Sequence, residues 1–481
     1  MKVISIDTMR GLEKTSGISG VELMHRAGCR AAEAVREEFF RYPDRKRIVI
    51  VTGKGNNAGD GIAAALMLAQ DSALPCPVIQ AAFPVEQLAG EAAVFASRLT
   101  NSAVRVENAP SFRRGDLIVD ALFGIGLARP VEEPFASWIQ AVNDSCNPVI
   151  ALDLPSGLNG NTGEVYNFCV KASVTLSFGL PKTGLFRGRG AEFCGRLKHA
   201  MLGIAPQILE QVPSEMEAFY PEEAAAFLPP LSFDAYKNSR GRLLLAAGSP
   251  AYPGAPRLAL GAALRTGAGF VRLATGAAGA FPPPAVTVPD TEREVQKALL
   301  CSDAVAAGPG WGTGEKQRRL LHTLLDARLP AVLDADALTL LAKYPGEFPL
   351  TGATILTPHA GEARRLIPDL PEDRVSAAQT LACRFGCVAV LKGSRTVVAS
   401  PDGKYSINAS GSPALGIAGS GDVLTGVLGS LLAQGLSACD AARTGVSLHG
   451  AAGESVPMRG LRADDLPDLI RQAMAKAAPL C

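Results

Sequence analysis

From residue 48 to about 180, short β-rich runs alternate with helical stretches: RIVIVTG, CPVIQAAF, DLIVDALFG, PVIALDLPSG and ASVTLSFG. Strands buried on both faces of a parallel sheet read as near-continuous apolar runs, and each needs a crossover, usually a helix, before the next. The alternation therefore predicts a parallel sheet with helices on both faces. Ahead of it, SGISGVELMHRAGCRAAEAVREEF reads as an amphipathic helix, with Leu23, Ala27, Ala31 and Val35 at i+4 spacing. Residues 205–232 break the rhythm with prolines and clustered acids, which sets a boundary near 212. A second series follows: GRLLLAAGS, AVAAGPGWG, AVLDADAL, TILTPHAGE, VAVLKGS and TVVASPDG. The expected fold class is α/β, with two three-layer α/β/α domains over 1–212 and 213–481. A chain of 481 residues has room for a separate core in each.

Several function classes drop out on composition. A formal net charge of +1 gives no general attraction for nucleic acid or an anionic membrane. The start, MKVISIDTMRGLEKTSG, lacks the apolar centre of a signal peptide, and no apolar run approaches the length of a membrane span. The 10 cysteines form no C-x-x-C pair and the 5 histidines are dispersed, so reduced thiols in the cytoplasm are the simplest reading.

In the first domain three strand ends carry polar residues that a core does not need. The loop VTGKGNNAGDG resembles a dinucleotide fingerprint, but its glycines, Gly53, Gly55 and Gly59, are spaced one residue too long. The following strand also offers no acid for a ribose hydroxyl. The ends contribute Asn56, Asn57 and Asp60, then Asp120, then Asp153 with Ser156. Asn57, Asp120 and Ser156 would offer hard oxygens with one formal charge among them, which suits a monovalent cation better than magnesium or calcium. Asp153 is left as an acid–base group, and Gly124 and Gly126 let the backbone approach a ligand. The plainer reading makes Asp60 and Asp120 helix caps and the asparagines left-handed turn residues.

GNNAGDG, VDALFGIGLARP and LDLPSGLNGNTG resemble the N-terminal YjeF domain, a Rossmann-like NAD(P)H-hydrate epimerase family, across residues 1 to about 210. That resemblance implies a substrate, NADH or NADPH carrying water at C6 of the nicotinamide ring. It implies a substrate site of Asn56, Asn57, Ala58, Gly59 and Asp60 with Gly124, Ile125, Gly126, Leu127, Ala128, Arg129 and Pro130. It further implies potassium held by Asn57, Asp120 and Ser156, and a substrate-contacting, catalytic Asp153.

In the second domain GIAGSGDVLTGVLGSLLA places small residues directly before an apolar helix, so the N–H groups of Ala418 to Gly421 would face an anion. Asp422, at the rim of such a cradle, is not there for the phosphate. Its chemical use is to take a proton from a hydroxyl that accepts a phosphoryl group, unless it only caps the helix. LKGSRT adds a cation and a hydroxyl at one strand end, and LTPHAGE ends another with His359 and Glu362.

YKNSRGRLLLAAGSPAYPGAPRLALGAALRTGAGFV, GPGWG, LDADAL, LTPHAGE, KGSRT and GSGDVLTG resemble, in order across 236–465, the YjeF C-terminal domain. That family is the ribokinase-like, ADP- or ATP-dependent NAD(P)H-hydrate dehydratase. The resemblance implies hydrate contacts at Ala255, Gly310, His359 and Asp422, and nucleotide contacts at Lys392, Gly393, Ser394, Arg395, Thr396 and Gly421. It implies catalysis by Asp422 with magnesium on the nucleotide. Two segments depart from the family pattern: GSPALGIAGSGD, and the short proline-rich ATGAAGAFPPPAVTVPD. Joined, the domains imply an isomerase and a lyase in one repair enzyme, expected as a homo-oligomer with no nucleic-acid or membrane partner. The competing expectation is a hydroxymethylpyrimidine- or sugar-type kinase fused to a non-catalytic nucleotide-binding module.

Overall fold

Ile48 to Val51 are wholly buried, as a strand covered on both faces requires. In the computed structural model, which describes residues 1–42, 44–214, 216–282 and 284–478, they form an inner strand of the first of two α/β units. The units are residues 1–217 and 218–481.

Unit 1 holds seven parallel strands: β1 (Arg47–Thr52), β2 (Val78–Ala81), β3 (Arg105–Glu107), β4 (Asp116–Ala121), β5 (Val149–Leu152), β6 (Val174–Phe178) and β7 (Arg196–Ala200). Their spatial order is β3-β2-β1-β4-β5-β6-β7. The chain leaves β1 toward β2 and later returns to its other side as β4. Open sheets bind ligands beyond the carboxyl ends at such a reversal. The helix Gly20–Arg41 starts at Ser19, whose hydroxyl accepts the Glu22 N–H, and buries Leu23, Ala27, Ala31 and Val35 as the i+4 pattern requires. It packs closely on the helix Asn56–Leu68, where a Cβ on Gly28 would come within 2.5 Å of the Ala63 methyl.

Unit 2 has β8 (Arg242–Ala246), β9 (Phe270–Thr275), β10 (Ala285–Pro289), β11 (Ala304–Ala307), β12 (Ala331–Leu333), β13 (Thr354–Leu356), β14 (Val388–Leu391), β15 (Val397–Ala399) and β16 (Tyr405–Asn408). These run in the order β16-β15-β14-β13-β12-β11-β8-β9-β10, parallel from β14 through β10 and antiparallel at β14–β15 and β15–β16. The proline-rich segment after β9 still yields a strand, β10; Pro283 within it lies outside the described residues. The parallel ladder continues past the strand ends: Asp334 N–H bonds Ala307, Thr357 N–H bonds Leu333, and Lys392 N–H bonds the Pro358 carbonyl at 2.9 Å. Those bonds fix the loops that follow β11 to β14. Among the described residues no helix is long and apolar enough to cross a membrane.

The apolar helix Ser420–Ala433 lies against the helix Ala255–Arg265, and a Cβ on Gly426 would fall on the Ala259 carbonyl oxygen. Overpacking of this kind typically costs about 1–3 kcal/mol. Gly426→Val should therefore lower the unfolding temperature of unit 2 in calorimetry and leave the unit 1 transition in place. An unmoved transition would mean the two helices do not depend on that close approach.

Candidate functional sites

The glycine turn after β1 is short, because the helix already begins at Asn56, with Gly55 as its N-cap. The asparagines therefore sit in its first turn and are not left-handed turn residues. Asp60 lies one turn further in and is not a cap. Asn57 is buried; its Nδ2 donates to the Leu152 carbonyl at 3.2 Å, and its Oδ1 is buried with no partner among the described residues. A buried acceptor left unpaired is costly unless something completes it.

Asp120, fully buried near the end of β4, accepts from Ser156 Oγ at 2.6 Å, the Ser156 N–H at 2.8 Å and the Leu122 N–H at 3.2 Å. Burial pushes its carboxyl up to about 6, against the pull of those hydrogen bonds. One orphaned amide oxygen, one buried carboxylate and one hydroxyl make a donor set that fits a monovalent cation. Asp120, like Asp60, is not a helix cap.

Asp153 follows β5 with φ +66°, in the left-handed region that non-glycine residues seldom occupy. Strain of this kind is held where the surroundings demand it, often at functional sites. Its Oδ1 is ion-paired with Lys182, which is 1% exposed and also donates to the Phe178 carbonyl at 2.6 Å. The other oxygen, Oδ2, faces Gly124: a Cβ there would come within 3.3 Å of it and 3.4 Å of Asn57.

Gly124 in turn opens onto a cavity of about 1010 Å³, lined also by Asn56, Asn57, Asp60 and every residue from Ile125 to Pro130. That volume lies at the top of the range for small-molecule sites, roughly 300–1,000 Å³. Three residues expected in this site are not in its lining: Ala58 is in the core, Gly59 packs against Met24 and Ala92, and Asp153 stands behind Gly124. Two others were not anticipated. Lys182 is one; Glu13, from the helix Ile6–Thr15, lines the cavity, and burial holds its carboxyl above the usual range. Burial does the same for Asp60, reinforced by Asp153 and Glu13.

In unit 2 the loops beyond β11 to β14 converge. Lys392 reaches Asp334 at 2.7 Å and Glu362 at 3.8 Å, and Asp334 also accepts Thr425 Oγ1 at 2.8 Å. Burial disfavours the Lys392 ammonium, but Asp334, Glu362 and Asp422 outweigh it and its pKa is raised. Gly421 lies over this pair: a Cβ would be 3.5 Å from Lys392 Nζ.

The N-cap of the Ser420 helix is Gly419 at φ +89°, a conformation glycine adopts without cost. Of the cradle N–H groups, Ser420's bends back to Ile417 at 3.4 Å, whereas those of Gly421 and Asp422 have no partner among the described residues. Asp422 therefore does not cap the helix. Burial, with Asp334 nearby, pushes its carboxyl up to about 6 against the pull of Lys392. Beneath the same turn His449 Nε2 lies 3.1 Å from both Ser420 Oγ and the Ser420 carbonyl, and burial lowers its pKa to about 4.

Ala255 and Gly310 are neighbours, their Cβ positions 3.0 Å apart. The Gly312 N–H bonds Asp336 at 2.7 Å, tying GPGWG to LDADAL. His359 Nδ1 accepts the N–H groups of Gly361 and Glu362, so this histidine starts a helix while its ring stays more than half exposed. Among the residues after β14, Gly393 and Ser394 are exposed. Thr396 Oγ1 donates to Gly393 at 3.0 Å, and Arg395 turns inward to the Ala409 carbonyl at 2.6 Å.

A family model described as NAD(P)H-hydrate dehydratase matches residues 243–475, and one described as YjeF-related protein N-terminus matches residues 20–184. The bifunctional NAD(P)H-hydrate repair enzyme of Coxiella burnetii is 36% identical over 96% of this chain and 96% of its own. That of Escherichia coli is 34% identical over 96% of this chain and 91% of its own. A ribokinase-like superfamily protein from Enterococcus faecalis shares the fold of unit 2, with a TM-score of 0.51 and 24% identity over 55% of this chain and 96% of that one.

Proposed function

Because the chain belongs to the family of bifunctional NAD(P)H-hydrate repair enzymes, we propose that unit 1 interconverts the R and S hydrates of NADH or NADPH. Unit 2 then uses ADP or ATP to dehydrate the S form. The observation that carries this reading is a pair of separate aspartates. Asp153 stands behind the cavity of unit 1, and Asp422 stands in the first turn of a helix in unit 2. A soluble homo-oligomer in the cytoplasm completes the reading.

The C6 hydroxyl of the hydrate sits on a carbon bonded to the ring nitrogen. Its departure is driven by the nitrogen lone pair and needs a proton; water returning to the other face must lose one. Asp153 Oδ2, left free by the Lys182 pair and facing Gly124, is the group that moves this proton. Asn57 Oδ1, Asp120 and Ser156 would hold potassium, which would supply a fixed positive charge to the site.

In unit 2, Asp422 takes the proton of the C6 hydroxyl as the hydroxyl oxygen attacks the terminal phosphorus of the nucleotide, and the bond from that phosphorus to the rest of the nucleotide breaks, releasing AMP from ADP or ADP from ATP. Phosphate then leaves C6 and a proton leaves C5, which restores the ring double bond. The N–H groups of Gly421 and Asp422 and the segment from Lys392 to Thr396 hold the nucleotide, with Ala255, Gly310 and His359 against the hydrate. Magnesium bound to the nucleotide would screen the phosphate charge.

Three outcomes follow. Asp153→Asn keeps a side chain that tolerates a left-handed backbone. It should repair the S hydrate at the normal initial rate and the R hydrate only as fast as it epimerises unaided, giving a fast phase and then a slow one. Wild-type-like single-phase recovery of reduced-nicotinamide absorbance would remove Asp153 from the mechanism.

Asp422→Asn should lower the dehydration rate about 100-fold or more, the usual contribution of a general base, with ADP binding retained. In the wild type, the dehydration rate should fall as pH drops below about 6, where Asp422 takes up its proton. Full activity in the variant would leave Asp422 without a role.

Exchange of potassium for tetramethylammonium, or Asp120→Ala, should slow epimerisation and spare dehydration of the S hydrate. If both leave epimerisation unchanged, Asn57, Asp120 and Ser156 only stabilise the turns they occupy.

A further inference from the structure

Arg374 opens the helix Arg374–Phe385 and folds back over the end of β14. Its Nη2 donates to the Leu391 carbonyl at 3.0 Å and reaches the Lys392 carbonyl at 3.4 Å. Gly393 lies directly against it: a Cβ there would come within 2.8 Å of Nη2 and 2.9 Å of Nη1. Gly393 itself has φ +151°, so the chain turns around the guanidinium in a conformation a side chain would not permit.

No carboxylate among the described residues lies within ion-pair distance of Arg374, and its Nε is buried without a hydrogen-bond partner. Burial, with nothing opposing it, holds its pKa below the ordinary arginine value. Lys392, whose carbonyl Arg374 reaches, differs: its charge is already answered by Asp334 and Glu362. A half-buried guanidinium without a counter-charge is an expensive feature to keep, and planar N–H forks suit phosphate.

We propose that Arg374 is the positioning residue of the nucleotide loop and that a nucleotide phosphate supplies the negative charge its guanidinium lacks. The inference rests on the proposed nucleotide site at Lys392 to Thr396. Two carbonyl bonds set the path of that loop, and the remaining donors and charge draw the phosphate toward it. Adenine and ribose gain nothing from the charge.

The test compares ADP with adenosine, by calorimetric titration of the full-length protein carrying Arg374→Met or Arg374→Lys. Arg374→Met should weaken ADP about tenfold or more, the scale of one charge-assisted hydrogen bond, and leave adenosine within about twofold. Arg374→Lys, which keeps the charge without the fork, should recover part of the ADP affinity. Unchanged ADP affinity in Arg374→Met would overturn the proposal. An equal loss for ADP and adenosine would also overturn it, because the side chain would then only shape the loop. If Arg374→Met does not fold, Arg374→Lys decides the matter: ADP and adenosine weakened alike would reject the charge. Wild-type protein that binds neither compound would instead reject the nucleotide site itself.

Discussion

Lys392 and Asp334 meet 2.7 Å apart where the loops after β12 and β14 come together, and Thr425 closes the arrangement by donating to the other oxygen of Asp334. One carboxylate thereby joins two strand ends to the helix that carries Asp422. Unit 1 uses the same device, in which the 1%-exposed Lys182 pairs with Asp153 and with the Phe178 carbonyl. Removing one member of such a pair leaves an uncompensated charge in the interior, which commonly costs about 3–5 kcal/mol. In unit 2 the pair supports the working aspartate from behind; in unit 1 the working aspartate is itself a member.

The carboxyl ends of parallel strands make this economical. Each loop begins with a hydrogen bond inherited from the ladder, as at Asp334, Thr357 and Lys392. Its first polar residue therefore enters the site at a depth set by sheet register. Small residues then let the loops close: Gly310 beside Ala255, Gly421 over Lys392, and Gly124 before Asp153. Unit 1 places its cavity where the strand order reverses beside β1, the position such sheets favour for ligands.

Much of this was legible in the sequence because central strands are apolar without interruption. RIVIVTG and DLIVDALFG could hardly be anything else. Several of the strands that escaped notice are peripheral or carry charge. Arg105–Glu107 is an edge of its sheet, Arg196–Ala200 is the opposite edge, and Phe270–Thr275 contains Arg272. Edge strands face water on one side and lose the pattern that reveals the others. Asp153 and Asp120 stood out because a carboxylate at the end of a buried run has no packing purpose, and Asp422 because a carboxylate at the rim of an anion cradle does not serve the phosphate. Lys182, Asp334 and Arg374 were missed for the opposite reason: each answers a group distant in sequence. LDADAL did display Asp334, but which of its two aspartates turns inward depends on the fold. His449 gave no signal, since its partner Ser420 lies on another helix.

The left-handed backbone at Asp153 bears on how this position can drift through evolution. At φ +66° most side chains would strain the chain, whereas asparagine shares both the shape and the tolerance of aspartate. The substitution the backbone accommodates most easily is therefore one that cannot carry a proton, and it also leaves the Lys182 ammonium without its counter-charge. Asparagine here would therefore silence unit 1 and weaken it in the same step, because one carboxylate serves both the chemistry and the interior ion pair.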